Sequence, residues 1–133
     1  MKRLLLIEDN HMMAMFLANY FTNSFSISIA KSPSEALELI EEGHVNFDLA
    51  LVDYKSEEHK EYNHLKSLSE KLKWLQTPVI MLTDEDKSEQ RLNAFQLGVK
   101  DTLSKPFNPE ELNLRAKTIM ATTVPSGSLR QVA

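Results

Sequence analysis

Three apolar runs in this sequence are four residues long: LLLI (4–7), LALV (49–52) and VIML (79–82). A strand with one wet face alternates apolar and polar residues. A continuous apolar run of this length is instead a strand covered on both faces, as in a parallel sheet. Covering both faces requires helices on each side, and the segments between the runs have helical patterns. HMMAMFLANYF (11–21) has helical length and spacing. SPSEALELIEEG opens with Ser32 as N-cap, Pro33 at the first helical position and Glu35 as capping-box acid, with Gly43 just past the end. The spacing predicts a long helix over 57–75, with Leu65, Leu68, Leu72 and Leu75 on one side. DKSEQRLNAFQLG reads as a helix closed by Gly98, and NPEELNLRAKTIMA as a last helix opened by Asn108, Pro109 and Glu111.

SISIA (26–30) and DTL (101–103) bring the strands to five, in strict alternation with five helices. That pattern predicts a three-layer α/β domain around a central five-stranded parallel sheet. After Ala121 the text TTVPSGSLRQVA has turn residues and no periodicity. The expected division is a domain over 1–121 and a tail, or the start of an interdomain linker, over 122–133.

Composition excludes several classes. The 133 residues contain no cysteine, which removes cysteine-based zinc and redox chemistry and suits the cytoplasm. Net charge is -4 with lysine and arginine scattered, so no nucleic-acid footprint is present. Lys2 and Arg3 begin like a secretory signal, but Glu8 and Asp9 break the apolar run too early, and no stretch approaches membrane-spanning length. His11, His44, His59 and His64 make no zinc pattern. Met12, Met13 and Met15 read as packing residues, Trp74 as a packing anchor, and Lys66, Lys71 and Lys73 as a solvated helix face.

In parallel sheets, sites form at the carboxyl ends of strands. The first run ends at Glu8 and Asp9, the third strand at Asp53 and the fourth at Thr83, and the fifth is followed by Lys105. Alone, each has a plain structural reading: Asp53 as a turn residue, Glu8 and Asp9 as partners of a helix dipole, Thr83 as a cap, Lys105 as a surface lysine. Together they can do chemistry. Three adjacent carboxylates repel unless a cation compensates, and their oxygens suit Mg2+, or Mn2+. A carboxylate is also a nucleophile towards phosphorus, giving an acyl phosphate, while a metal and a lysine neutralise the moving oxygens.

LLLIEDN, DLALVD, PVIMLT and DTLSKPFNPEEL, in this order and at these intervals, resemble the receiver domain of two-component response regulators. The resemblance covers residues 1–121 and implies a flavodoxin-like fold with strand order 2-1-3-4-5. It implies that Asp53 is the phosphoacceptor, with Asp9 as a direct Mg2+ ligand and Glu8 nearby or acting through water. Asp53 would also ligate the metal, and Lys55 would give its backbone carbonyl. Thr83 and Lys105 would contact the phosphoryl group, and the Lys105–Pro106 peptide would be cis. The implied partner is a sensor histidine kinase or phosphotransfer protein of a bacterial cytoplasmic pathway, and the implied activity is a switch with autodephosphorylation rather than an enzyme acting on a separate substrate. The face made by the fourth helix, fifth strand and fifth helix, with Lys87, Arg91, Phe95, Asp101, Glu111 and Arg115, would support a homodimer.

Several residues depart from the family pattern. Thr102 stands where Tyr or Phe is usual, and a threonine cannot rotate a ring inward behind Thr83. Asp84 puts a carboxylate where a small residue is common and would repel a phosphodonor. YKSEEHKEY lacks the usual proline and glycine. Lys55 either reaches the phosphoryl site, pairs with Asp53 or Glu8, or faces water, and the last is the default for a loop lysine. These departures define an alternative, a pseudo-receiver that binds proteins without phosphorylation. A third class, the haloacid-dehalogenase-type phosphatase, needs a second aspartate two residues after the nucleophile, where this chain has Lys55.

Overall fold

A computed structural model describes residues 1–43, 46–84 and 87–122. Five strands and five helices alternate: β1 (Lys2–Ile7), α1 (His11–Phe21), β2 (Phe25–Ala30), α2 (Pro33–Gly43), β3 (Leu49–Asp53), α3 (Tyr62–Trp74), β4 (Val79–Thr83), α4 (Ser88–Gln96), β5 (Asp101–Ser104) and α5 (Pro109–Thr122). The strands form one sheet in the order β2-β1-β3-β4-β5, parallel throughout. Both the three-layer α/β class and the strand order are as expected.

The apolar runs explain the layers. Successive side chains of a strand point to opposite faces. Leu5, Ile7, Ala50, Val52, Val79 and Met81 join one core with Ala36, Ile40, Leu65, Leu68, Leu72 and Ala94, so α2, α3 and α4 cover that face. Leu4, Leu6, Leu49, Leu51, Ile80 and Leu82 join the other core with Ala14, Leu17, Phe21, Leu112 and Ala116, so α1 and α5 cover the second face. Every residue of β3 and β4 is buried.

Helix ends follow the sequence closely in most places. The Ser32 hydroxyl accepts from Glu35 N–H, and Asn108 Oδ1 accepts from Glu110 N–H. Glu111 does not close a capping box but pairs with Arg115 one turn on. Gly98 follows α4 with φ of 94°, a left-handed conformation that glycine adopts without a Cβ penalty. Gln76 takes the same role after α3, with φ of 61°. Gly43 is the last residue of α2 rather than the residue beyond it. His44, Val45, Glu85 and Asp86 lie outside the described residues, as does the expected tail beyond residue 122.

Three expectations need correction. The third helix begins at Tyr62, not at Glu57. The intervening backbone closes two turns instead, His59 N–H to Ser56 O and Tyr62 N–H to His59 O. Glu61 then serves another helix: its Oε1 accepts from the Ser34 N–H at 3.0 Å and the Ser34 hydroxyl at 2.9 Å, in the first turn of α2. Free N–H groups and the positive dipole end favour a carboxylate there. Trp74 is no packing anchor, since it is 78% exposed with Lys71 Nζ 5.6 Å from its ring centroid. Met12 and Met15 are exposed as well, because α1 buries only its Ala14, Leu17 and Phe21 stripe.

Glu61 yields a pH-dependent prediction. Burial alone would raise its pKa, but the Ser34 bonds and His64 outweigh this and lower it. A carboxylate with a depressed folded pKa stabilises the fold above its ordinary pKa and loses that contribution as pH falls through the folded value. Glu61→Ala is therefore expected to lower unfolding free energy at neutral pH by about 2 kcal/mol, the scale of hydrogen bonds to a charged group. In denaturant titrations the gap from wild type should narrow below the ordinary carboxylate range.

Candidate functional site

Strand register sets the site. Ile7 pairs with Val52 and Asp53 with Leu82, so Glu8 lies level with Asp53, one residue beyond the last β1–β3 pair. Thr83 pairs with Ser104, which puts Lys105 one step past the end of β5. The ladder continues across these ends through Glu8 N–H to Ala30 O, Tyr54 N–H to Leu82 O and Lys105 N–H to Thr83 O. Glu8, Asp9, Asp53, Thr83 and Lys105 thus meet at one edge, as their strand-end positions predict.

Glu8, Asp9 and Asp53 each offer a carboxylate oxygen within 4.8 Å of the others. Two ammonium groups divide this cluster. Lys105 Nζ lies 2.6 Å from Asp53 Oδ1 and 3.5 Å from Glu8 Oε1. Lys55 Nζ lies 3.1 Å from Asp9 Oδ2 and 3.2 Å from Asp53 Oδ2. Lys55 is only 6% exposed, so the default reading of a solvated loop lysine is wrong. Its stem turns inward because the acid cluster compensates the buried charge.

Burial raises the pKa of Glu8, and the Asp53 charge raises it further. Burial would also raise Asp9, but the hydrogen bond and charge of Lys55 outweigh it and lower the value. For Lys55 and Lys105 burial acts downward, and the neighbouring carboxylates outweigh it, Asp53 foremost, so both are held charged above the ordinary lysine value.

Two buried oxygens, Glu8 Oε1 and Thr83 Oγ1, have no hydrogen-bond partner among the described residues. Thr83 is therefore no helix cap. Buried polar atoms left unpaired are costly, and they cluster where a ligand completes the set. An all-oxygen donor group with an orphaned carboxylate oxygen fits a hard divalent cation such as Mg2+.

Asp84 is exposed and turned towards α4, where its N–H donates to Gln90 Oε1 and its Oδ2 accepts from Gln90 Nε2. Thr102 is buried in β5 and lines a groove of about 490 Å³ with Arg91, Phe107 and Arg115. The Lys105–Pro106 peptide is cis. Arg115 spends its charge within the chain, 2.8 Å from Asp101 and 2.9 Å from Glu111. A second groove of about 490 Å³ opens beside Glu8 and Lys105 and is walled by Met12, Met13 and Phe16 of α1.

One further group carries no signal in the amino-acid pattern. Asn93 of α4 donates through Nδ2 to Tyr54 Oη at 2.8 Å and Tyr62 Oη at 3.0 Å. Tyr54 directly follows Asp53, so this triad ties the end of β3 to α4 and the start of α3. Nothing in the spacing of Tyr54, Tyr62 and Asn93 along the chain foretells it.

The sheet order, the helix layers and the acid cluster with its lysine define one class, and the chain belongs to the response regulator receiver domain family, whose model matches residues 4–117. It is similar to the transcriptional regulatory protein CpxR of Escherichia coli K12, 31% identical over 121 residues, which is 90% of this chain and 50% of CpxR. It is also similar to the transcriptional regulatory protein SrrA of Staphylococcus aureus, 32% identical over 90% of this chain and 48% of SrrA. The chain spans about half the length of these curated relatives. Among solved structures, the receiver domain of Francisella response regulator 1452 aligns with a TM-score of 0.76 and 27% identity, over 93% of this chain and 100% of that one.

The orphaned Thr83 hydroxyl makes a stability prediction. Thr83→Val keeps the shape and removes the unpaired group, so the fold should gain about 1 kcal/mol. A higher urea midpoint at unchanged m-value would show this, and a lower midpoint would mean that the hydroxyl is satisfied in solution.

Proposed function

We propose that Asp53 is the phosphoacceptor of this receiver domain, taking a phosphoryl group from a sensor histidine kinase or phosphotransfer protein. The observation that carries this is the Asp53 carboxylate at the end of β3, 2.6 Å from Lys105 Nζ and within the acid cluster. A carboxylate oxygen of Asp53 attacks phosphorus, and the bond to the donor nitrogen breaks. Lys105 already sits on Asp53 Oδ1 and follows the charge onto the phosphoryl oxygens. Thr83, buried and unpaired, donates its hydroxyl to one of them. Glu8, Asp9, Asp53 and the backbone carbonyl of Lys55 would hold Mg2+, or Mn2+. That ion would supply charge neutralisation on the phosphoryl oxygens. Water attack on the acyl phosphate then resets the switch.

The receiver unit is proposed to span residues 1–121, with 122–133 as a tail or linker, in a cytoplasmic signalling protein. The curated relatives are transcriptional regulatory proteins, which favours an output of that class beyond this domain. Self-association through α4, β5 and α5 would rest on exposed Leu92 and Phe95, since Arg115 is already paired within the chain. Equal elution as a monomer with and without a phosphoryl mimic would rule that association out.

The central test is intact mass after incubation with acetyl phosphate and Mg2+. Wild type should gain one phosphoryl group, chelation of Mg2+ should prevent the gain, and Asp53→Asn should gain none. No added mass at high donor concentration would move the chain to the pseudo-receiver reading, in which Thr102 and the loop after Asp53 serve a fixed binding surface.

Lys105→Ala separates signalling from metal binding. The variant should still bind Mg2+ and accept phosphate, while phosphorylation no longer changes amide exchange in α4 and β5. Collapse of Mg2+ affinity with an intact response would overturn the role given to Lys105.

A further inference from the structure

The two ammonium groups at the cluster are not equivalent. Lys105 takes Asp53 Oδ1 and faces Glu8. Lys55 alone takes the other side, bridging Asp53 Oδ2 and Asp9 Oδ2 at 3.2 and 3.1 Å. We propose that Lys55 is a built-in counter-ion, seated between Asp9 and Asp53 where a divalent cation would enter, and that cation binding expels it. This rests on the proposed metal role of Glu8, Asp9 and Asp53.

Shape and charge both set Lys55 against a bound cation. Mg2+ demands oxygens at about 2.0–2.1 Å in near-octahedral geometry. An ammonium has three donors and no lone pair, so it cannot join that shell. Lys55 and the metal would claim the same two carboxylates, and like charges so close together repel. Charge balance favours exchange as well. Three carboxylates and two ammoniums leave the cluster one formal charge negative. A divalent cation added on top makes it one positive, whereas exchange for the Lys55 ammonium makes it neutral.

An exit exists. The Asp9 side chain is 57% exposed, so the pocket is open on the side that Lys55 bridges. Lysine has a flexible four-carbon stem that can carry its charge outward while the backbone carbonyl stays. The consequence is a site that resists divalent cations more than its acid content implies, and a β3–α3 loop whose side chain reports metal occupancy.

Isothermal titration calorimetry with MgCl2 on the whole chain tests this without any phosphodonor. Lys55→Met should bind Mg2+ about tenfold tighter or better, equivalent to 1.4 kcal/mol, while Lys55→Arg, which keeps the charge, should gain far less. A second measurement uses wild type alone. Amine-reactive labelling read by peptide mass spectrometry should find Lys55 protected without Mg2+ and labelled several-fold more at saturating Mg2+. Unchanged or weaker affinity in Lys55→Met, or Lys55 still protected at saturation, would overturn the exchange and leave the metal site standing. Absence of binding heat in all three proteins, with labelling unaffected by Mg2+, would overturn both.

Discussion

The pairing of Ile7 with Val52 and of Asp53 with Leu82 fixes where the carboxylates of the site sit. Parallel strands in this register end level, and each strand hands its next side chain to the same edge. Glu8, Asp53 and Thr83 are consequently buried there without any long-range loop to hold them. Shifting β3 by one residue would send Asp53 into one of the two apolar layers and Val52 into the other. The cores that forbid that slip, Leu65 and Leu72 on one face and Leu17 and Leu112 on the other, are therefore also what fixes the position of the nucleophile proposed here.

That dependence explains why so much was legible from the chain. Doubly buried strands must be written as unbroken apolar runs, and a run that stops on a carboxylate marks both a strand end and a site. Proline and cap residues punctuate α2 and α5 in the same local code. The start of α3 was not legible, because Glu61 spends its carboxylate on Ser34, 27 residues away, and nothing within its own window records that choice. The exposure of Trp74 has the same character. Periodicity places Leu65, Leu68 and Leu72 on the inner stripe, and Trp74 falls off it once the helix ends at that residue.

Lys55 shows the limit most clearly. A lysine two residues past a strand is solvated by default, and only the joint presence of Asp9 and Asp53 around one point makes burial favourable. Those two residues lie 46 and 2 positions away, on different elements. The site residues that end strands could be found from pattern, but the one that answers their charge could be found only from geometry.

The missing aromatic at Thr102 takes on a different meaning beside the Tyr54–Tyr62–Asn93 triad. A ring rotating on β5 would report events at Thr83 to α4 through packing. Here one α4 amide, Asn93 Nδ2, already ties to Tyr54, the residue after Asp53, at 2.8 Å and to Tyr62 at the start of α3 at 3.0 Å. A displacement of the backbone that follows Asp53 would pull on Tyr54 and so on Asn93. The triad also lies on the face of the sheet covered by α2, α3 and α4, so motion there need not pass through β5 at all. Small polar Thr102 leaves an open groove where a ring would have stood, and α4 is held from the opposite side.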